Sequence, residues 1–104
     1  MINFVDLHEE DHVRFVLDGE LVAGGMDKLR ESLKRHIENG ATKIVFDMEK
    51  VSTLDSAGVG FLAAAHNSLV KVNGSIRTVQ LSEDMYNFFV SLRLNTHFNI
   101  ERRA

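Results

Sequence analysis

The residues best suited to chemistry lie in one short segment, residues 51–60, which reads Val-Ser-Thr-Leu-Asp-Ser-Ala-Gly-Val-Gly. Asp55 and Ser56 fall where an apolar strand is expected to pass into a helix. A carboxylate or hydroxyl at a helix start accepts hydrogen bonds from backbone N–H groups that lack a partner inside the helix. The first interpretation of this segment is therefore helix capping, with glycines that permit tight packing.

A second interpretation of the same residues is a phosphorylation site. Gly58 and Gly60 each weaken the first helical turn by ~1 kcal/mol relative to alanine, and they leave the Ser56 hydroxyl uncovered. A phosphate on Ser56 would meet free N–H groups and the positive end of the helix dipole. The residues alone leave capping and phosphorylation both open.

Enzymatic chemistry is less well supported. Ser56 lacks the Gly-x-Ser-x-Gly surroundings of a hydrolase nucleophile, and the five histidines show no spacing that predicts a base with an orienting acid. Gly58-Val59-Gly60 begins like a dinucleotide fingerprint, but Ala63 replaces the third glycine and there is no Walker lysine. We therefore expect no enzyme and no bound cofactor.

The histidines do not predict a metal site either. His8 and His12 are four residues apart but belong to a predicted hairpin, so they would not share a helical face as metal ligands usually do. His36 and His66 fall on or beside the apolar stripes of predicted helices, where a partly buried, hydrogen-bonded histidine is expected.

The elements that must position residues 51–60 follow from hydrophobic periodicity. Residues 3–7 and 13–17 alternate with period two and predict antiparallel strands joined by an acidic turn. Met26, Leu29, Leu33 and Ile37 predict a helix that Asn39-Gly40 ends. Residues 43–48 form an almost continuous apolar run, which is typical of a central strand.

The second half of the chain continues the alternation of helix and strand. A helix is predicted after Ser56, with an apolar stripe of Val59, Leu62, Ala63, His66, Leu69 and Val70. Residues 75–81 form the next strand, and Ser82 caps a third helix with core positions Met85, Phe88, Phe89 and Leu92. A last strand is expected near residues 98–100. The fold class is therefore α/β, with a mixed β-sheet of about five strands and three or four helices packed on it.

Composition limits the class of protein further. With 104 residues, 44% hydrophobic and 26% charged, the chain fits a single globular domain over residues 1–104. The net charge is −3 without a basic stripe, so nucleic acid is not an expected partner. The longest apolar stretch, residues 61–65, is far below the roughly 20 residues that span a bilayer, and the absence of cysteine is compatible with a reducing cytosol. We expect a cytoplasmic protein without membrane insertion.

A family resemblance bears on the choice between capping and phosphorylation. Asp55-Ser56-Ala57-Gly58-Val59-Gly60 resembles the Asp-Ser-(Ser/Ala)-Gly-(Leu/Val)-Gly signature of STAS domains, which occur in bacterial anti-sigma factor antagonists and at the ends of sulfate transporters. Gly19-Glu20-Leu21 is similar to the family's Gly-Glu-Leu-Asp turn after the second strand, and Ile44-Val45-Phe46-Asp47 to its hydrophobic strand ending in Asp. Phe98-Asn99-Ile100 resembles the closing strand. The resemblance covers nearly the whole chain.

The resemblance implies a function in the regulation of transcription. It implies that a partner anti-sigma factor with a histidine-kinase-like ATPase domain phosphorylates Ser56 and then releases the antagonist, and that a phosphatase reverses this step. The expected partner-binding residues are Asp55, Ser56, Ala57, Gly58, Val59 and Gly60. Phosphate at Ser56 would join Asp55 on one surface, with Asp47 as a further candidate.

Two departures from the family pattern keep an alternative open. Val22 stands where an acid usually follows Gly-Glu-Leu, and the proline common before the third helix is missing around Ser82. Because that acid commonly lies near the phosphorylated serine, Val22 mildly favours a constitutive scaffold subunit. Such a subunit would resemble the STAS component of a lipid-transport ATPase or of a stress-signalling complex.

Overall fold

The computed structural model describes residues 2–103, which form five strands, three α-helices and one short 3-10 helix. The elements in chain order are β1 Ile2–His8, β2 Val13–Leu21, α1 Asp27–Glu38, β3 Lys43–Leu54, α2 Ser56–Val70, β4 Ser75–Leu81, α3 Glu83–Ser91, the 3-10 helix Leu94–Thr96 and β5 Asn99–Arg102. The predicted α/β order is confirmed, and the 3-10 helix is an addition to it. Within residues 2–103, no helix has the length and apolar composition needed to cross a membrane.

The strands form one mixed sheet in the order β1-β2-β3-β4-β5, with β1 antiparallel to β2 and the other neighbours parallel. β3 is the central strand, as its apolar run predicted. The carboxyl ends of the parallel strands meet at one edge of the sheet, where Leu21 of β2 pairs with Leu54 of β3. We call this the carboxyl edge, meaning the residues that directly follow Leu21, Leu54 and Leu81.

A single hydrophobic core joins the sheet to the three helices. β2 contributes Val13, Phe15 and Leu17 to the core, and β3 contributes Ile44, Phe46 and Met48, because alternate side chains of a strand point to the same face. The Phe46 ring lies 5.6 Å from that of Phe15 and 5.7 Å from that of Phe61 on α2, measured between centroids. α2 is thereby held against the centre of the sheet, with its first residue at the carboxyl edge.

β2 and β3 continue well beyond their predicted ends. β3 continues through exposed Glu49 and Lys50 to Leu54, because it pairs with the last residues of β2 along this stretch. Gly19-Glu20-Leu21, expected as a turn, instead forms the irregular end of β2, where the register shifts between Gly19 and Glu20 and Gly19 has a φ of 114°. Asp47 consequently lies inside β3 and does not end it.

The buried faces of α2 and α3 also differ from the predicted stripes. In α2 the buried residues are Gly58, Phe61, Leu62, Ala65 and Leu69, whereas Val70 is 54% exposed. The helix is apolar on most sides, so its periodicity did not define which side faces the sheet. In α3 only Phe89 is buried, while Phe88 and the C-cap residue Leu92, both predicted to be core residues, are exposed.

Candidate functional site

Asp55 and Ser56 stand at the junction of β3 and α2, on the carboxyl edge. Asp55 is the N-cap of α2, with extended backbone angles, and its Oδ1 accepts a hydrogen bond from the Gly58 N–H at 3.0 Å. The capping interpretation is thereby confirmed for Asp55. Ser56 is the first residue of the helix and is exposed.

The second oxygen of Asp55 fixes the loop that follows β2. Asp55 Oδ2 accepts a hydrogen bond from the Ala23 N–H at 3.2 Å, and the Asp55 N–H donates to the Leu21 carbonyl oxygen at 3.5 Å. The Gly58 N–H, followed by the Ala23 N–H, holds the pKa of Asp55 below its ordinary value, although partial desolvation opposes this. The stability that the ionised carboxylate contributes is therefore fully present above the ordinary aspartate pKa, and it is lost as the pH falls through the lower folded-state pKa.

The Ser56 side chain is exposed and takes no part in the N-cap of α2. Among residues 2–103, no group forms a hydrogen bond with its Oγ, since the capping role belongs to Asp55. The backbone N–H groups of a first helical turn and the helix dipole favour negative charge at this position. A phosphate could therefore be added here without breaking a hydrogen bond of the Ser56 side chain.

The two glycines that follow Ser56 have different roles. Gly58 is buried, and a Cβ there would collide with the Leu21 carbonyl oxygen and lie 2.6 Å from Leu54 Cδ1. Gly60 is exposed, and among residues 2–103 a Cβ at that position would meet no atom within 4 Å outside its own stretch of helix. Close packing therefore explains Gly58 but not Gly60. The flanking residues Ala57 and Val59 are half-buried against the core.

The geometry of the site and the fold agree with a known family. The family model described as the STAS domain matches residues 4–103. The chain belongs to the STAS domain family. The resemblance carried by residues 55–60 is thus confirmed at the level of the family.

Solved structures similar to this STAS domain include anti-sigma factor antagonists. The antagonist SpoIIAA in its unphosphorylated form is 24% identical, with a TM-score of 0.77, covering 98% of this chain and 89% of that one. The Bacillus cell fate determinant SpoIIAA in its phosphorylated form is 26% identical, with a TM-score of 0.75 and coverages of 94% and 90%. An anti-sigma factor antagonist from Mycobacterium paratuberculosis is 19% identical, with a TM-score of 0.84 and coverages of 97% and 86%. The predicted fold is confirmed by these likenesses.

Alanine substitutions at the two glycines of this STAS domain should have opposite effects on its stability. Gly58→Ala is expected to lower the free energy of unfolding by about 1–3 kcal/mol, because the added methyl group has to displace the Leu21 backbone. Gly60→Ala is expected to raise the free energy of unfolding by up to about 1 kcal/mol through its better helix propensity. Urea unfolding of both variants measures the difference. A Gly58→Ala protein as stable as wild type would contradict the packing role of Gly58.

Asp47, a further candidate for the charged surface around Ser56, does not belong to it. The Asp47 carboxylate is buried and accepts a hydrogen bond from Arg14 of β2, with an N–O distance of 2.7 Å. Along β3, Asp47 and Asp55 are separated by eight residues of extended chain, which corresponds to roughly 26 Å. The expected proximity of Asp47 to Ser56 is wrong, because β3 continues to Leu54.

The loop after β2 is the part of the site that the sequence indicated least directly. Val22 lies between Leu21 and Ala23, both of which are hydrogen-bonded to Asp55. Val22, which stands where the resemblance leads one to expect an acid, therefore lies beside the N-cap residue of α2. The Gly-Glu-Leu resemblance was the feature of the sequence that pointed to this loop. Its backbone contacts with Asp55 could not be predicted, because they depend on the register of β2 against β3.

The histidines lie away from Ser56. His36 is partly buried and its Nε2 is 2.8 Å from Asp6 Oδ2, as expected for a hydrogen-bonded histidine. His66 is partly buried too, but its Nδ1 has no hydrogen-bond partner within residues 2–103, so that part of the expectation is wrong. In the same residues, no group of three or more acidic or histidine side chains is arranged to hold a metal ion.

Proposed function

We propose that this STAS domain is a phosphorylation-controlled binding switch of the anti-sigma factor antagonist type. In its unphosphorylated form it binds an anti-sigma factor that is also a serine kinase with a histidine-kinase-like ATPase domain. Phosphorylation of Ser56 by that kinase releases the complex, and a phosphatase restores binding. The domain itself performs no catalysis and acts in the cytoplasm, where it regulates transcription through its partner.

The observation that carries this proposal is the state of Ser56. Its hydroxyl is exposed and takes no part in capping, since Asp55 supplies the N-cap oxygen. Gly60 lies one turn further along the same side of α2, and its missing side chain leaves open space next to Ser56. A kinase can therefore approach the hydroxyl, and capping does not account for a serine at this position.

The surface around Ser56 suits a binding partner as well as a kinase. Ser56 and Gly60 are exposed, and Asp55, Ala57 and Val59 are partly accessible. Gly58 is buried, so it serves the surface by bringing α2 close to the Leu21 backbone. A partner that packs on this surface of small residues would place its own atoms directly against the Ser56 hydroxyl.

The relatives support a switch that works without refolding. SpoIIAA has been solved in both phosphorylated and unphosphorylated forms. This chain superposes on the two forms almost equally well, with TM-scores of 0.75 and 0.77. A common fold for both states in a related protein is what a local, electrostatic mechanism requires.

The proposal is tested by phosphate transfer from the kinase that co-purifies with this protein from its own cells. With that kinase and ATP, the wild-type protein is expected to gain one phosphate, and Ser56→Ala is expected to gain none. Ser68→Ala is the matched control, because Ser68 is an exposed hydroxyl on the same helix. Mass spectrometry of the intact proteins and their fragments measures the result. Phosphorylation of Ser56→Ala to the wild-type extent would show that the site is elsewhere, with Ser52 and Thr53 as the nearest hydroxyls.

A further inference from the structure

A groove of about 270 Å³ lies between α1 and α2. Its floor consists of the buried side chains of Leu33, Phe61 and Ala65. The lining extends over residues 30–38 of α1 and 61–68 of α2, which correspond to about 12 Å and 10 Å along the helix axes. The groove is therefore elongated, apolar at its base and open to solvent.

Two exposed residues of α2, Ala64 and Ser68, form the wall of the groove opposite α1. Serine is a weaker helix former than leucine, so helix propensity does not account for Ser68. Both side chains are short, and the space above the floor is therefore not filled by residues 2–103.

The rim of the groove on α1 carries charges in a definite order. Arg30 and Lys34 follow each other by one helical turn, and Glu38 follows one turn later. Among residues 2–103, Lys34 forms no ion pair, and Arg30 pairs only with exposed Asp27, at an N–O distance of 3.6 Å. A contact of that length between exposed side chains contributes little to stability. One end of the groove therefore presents two cationic groups that can turn to an anion.

We propose that this groove binds a small amphiphilic anion, with a single apolar chain on the floor and a carboxylate at Arg30 and Lys34. Ligand sites in proteins are mostly apolar, with a few polar groups that fix the orientation of the ligand. The groove is slightly smaller than the usual range of roughly 300–1,000 Å³, so it suits one short chain and not a phospholipid. The inference does not depend on the function proposed for Ser56.

The charges on the rim select the class of ligand. The aliphatic parts of Arg30 and Lys34 can lie along an apolar chain while their charged groups stay in water. Both groups can donate charge-assisted hydrogen bonds to a carboxylate, which are stronger than hydrogen bonds between neutral groups. An ammonium head group would meet two cations there, and a second carboxylate on the ligand would meet Glu38 at the other end. A monoanion with one apolar chain therefore fits best.

The experiment uses octanoate as the probe, below its micelle-forming concentration, with octanol as the neutral control. Two-dimensional NMR of the isotope-labelled wild-type protein is expected to show saturable shifts of backbone amides in residues 30–38 and 61–68 on titration with octanoate. Octanol should bind at least roughly tenfold more weakly, because it lacks the charge that Arg30 and Lys34 recognise. The double variant Arg30→Gln/Lys34→Gln should bind octanoate no better than octanol, whereas Lys71→Gln, outside the groove, should bind like wild type.

A second pair of variants tests the position of the apolar chain. Ser68→Leu should weaken octanoate binding at least roughly tenfold, because the leucine side chain occupies the groove, and Ala64→Leu should do the same. Asn67→Leu is the matched control, since Asn67 is an exposed neighbour of Ser68 that lines a different cavity of α2. It should bind octanoate like wild type. Melting temperatures near that of wild type show that the variants are folded.

Four results would overturn the inference. The first is the absence of saturable shifts with octanoate, and the second is unchanged affinity in both Ser68→Leu and Ala64→Leu. The third is binding of wild-type protein to phosphatidylglycerol vesicles but not to free octanoate, because the groove would then contact a membrane surface. The fourth is a concentration-dependent dimer of the wild-type protein that Ser68→Leu abolishes, because a second copy would then cover the groove.

Discussion

Replacing Phe46 by alanine is expected to lower the free energy of unfolding by about 3–5 kcal/mol, the range observed when a fully buried aromatic side chain is removed. Phe46 is 0% exposed on the central strand, and its ring contacts those of Phe15 and Phe61. The loss combines the transfer free energy of the ring with the cavity it leaves between the sheet and α2. Denaturant unfolding followed by circular dichroism measures it.

The control for this substitution is Val5→Ala on β1. Val5 is 58% exposed, so its truncation is expected to change the free energy of unfolding by no more than about 0.5 kcal/mol. The wild-type protein is expected to unfold in a single transition, because one hydrophobic core joins the sheet to the helices. A loss below about 1 kcal/mol for Phe46→Ala would mean that the aromatic cluster does not hold α2 on the sheet.

The order of the elements could be predicted because each change of hydrophobic period is local. Val13 and Phe15 alternate, whereas Met26, Leu29 and Leu33 repeat at helical spacing. The ends of β2 and β3 could not be predicted in this way, since Asp18 and Lys50 are polar residues of the kind found in turns. They are cross-strand partners in the sheet, so pairing between distant segments extends both strands.

The position of the site could be predicted because the N-cap signal is local in the sequence. The packing inside the site could not be predicted, because it depends on distant residues. The N-cap bond from the Gly58 N–H to Asp55 spans three residues, which is the spacing that capping requires. The contact of Gly58 with the Leu21 carbonyl joins residues far apart in the chain and depends on the register of two strands. The sequence therefore predicted the same role for both glycines. In the structure, Gly58 packs closely against the Leu21 backbone, whereas Gly60 faces open space.

Exposure of α3 is a further feature that periodicity did not predict. Met85, Phe88, Phe89 and Leu92 have the spacing of a buried stripe, but α3 is only nine residues long and packs near the β4–β5 side of the sheet. A short helix in that position can turn only part of its apolar surface to the core. An apolar stripe that the core covers and one that stays exposed have the same sequence pattern.

Ser56→Asp is expected to weaken partner binding at least roughly a hundredfold, which corresponds to about 2.7 kcal/mol. The free protein should tolerate the substitution, because the carboxylate would be exposed at the start of α2, where the helix dipole favours negative charge. A partner packed over Ser56 and Gly60 would have to bury that charge without a basic group opposite it, at a cost of several kcal/mol.

The same substitution should leave the fold unchanged, and this distinguishes local release from refolding. The circular dichroism spectrum and melting temperature of Ser56→Asp are expected to stay near those of wild type. Ser68→Asp, about 18 Å further along the same helix, is the matched control and should bind the partner normally. Phosphoserine adds about −1.5 to −2 charges at neutral pH, roughly twice the charge of aspartate, so the phosphorylated protein should bind more weakly still.

If calorimetry showed Ser56→Asp and the phosphorylated protein binding the partner as tightly as the unmodified chain, the domain would act as a constitutive scaffold. Val22, beside the site in place of an acid, would then be the departure from the family that marks the difference.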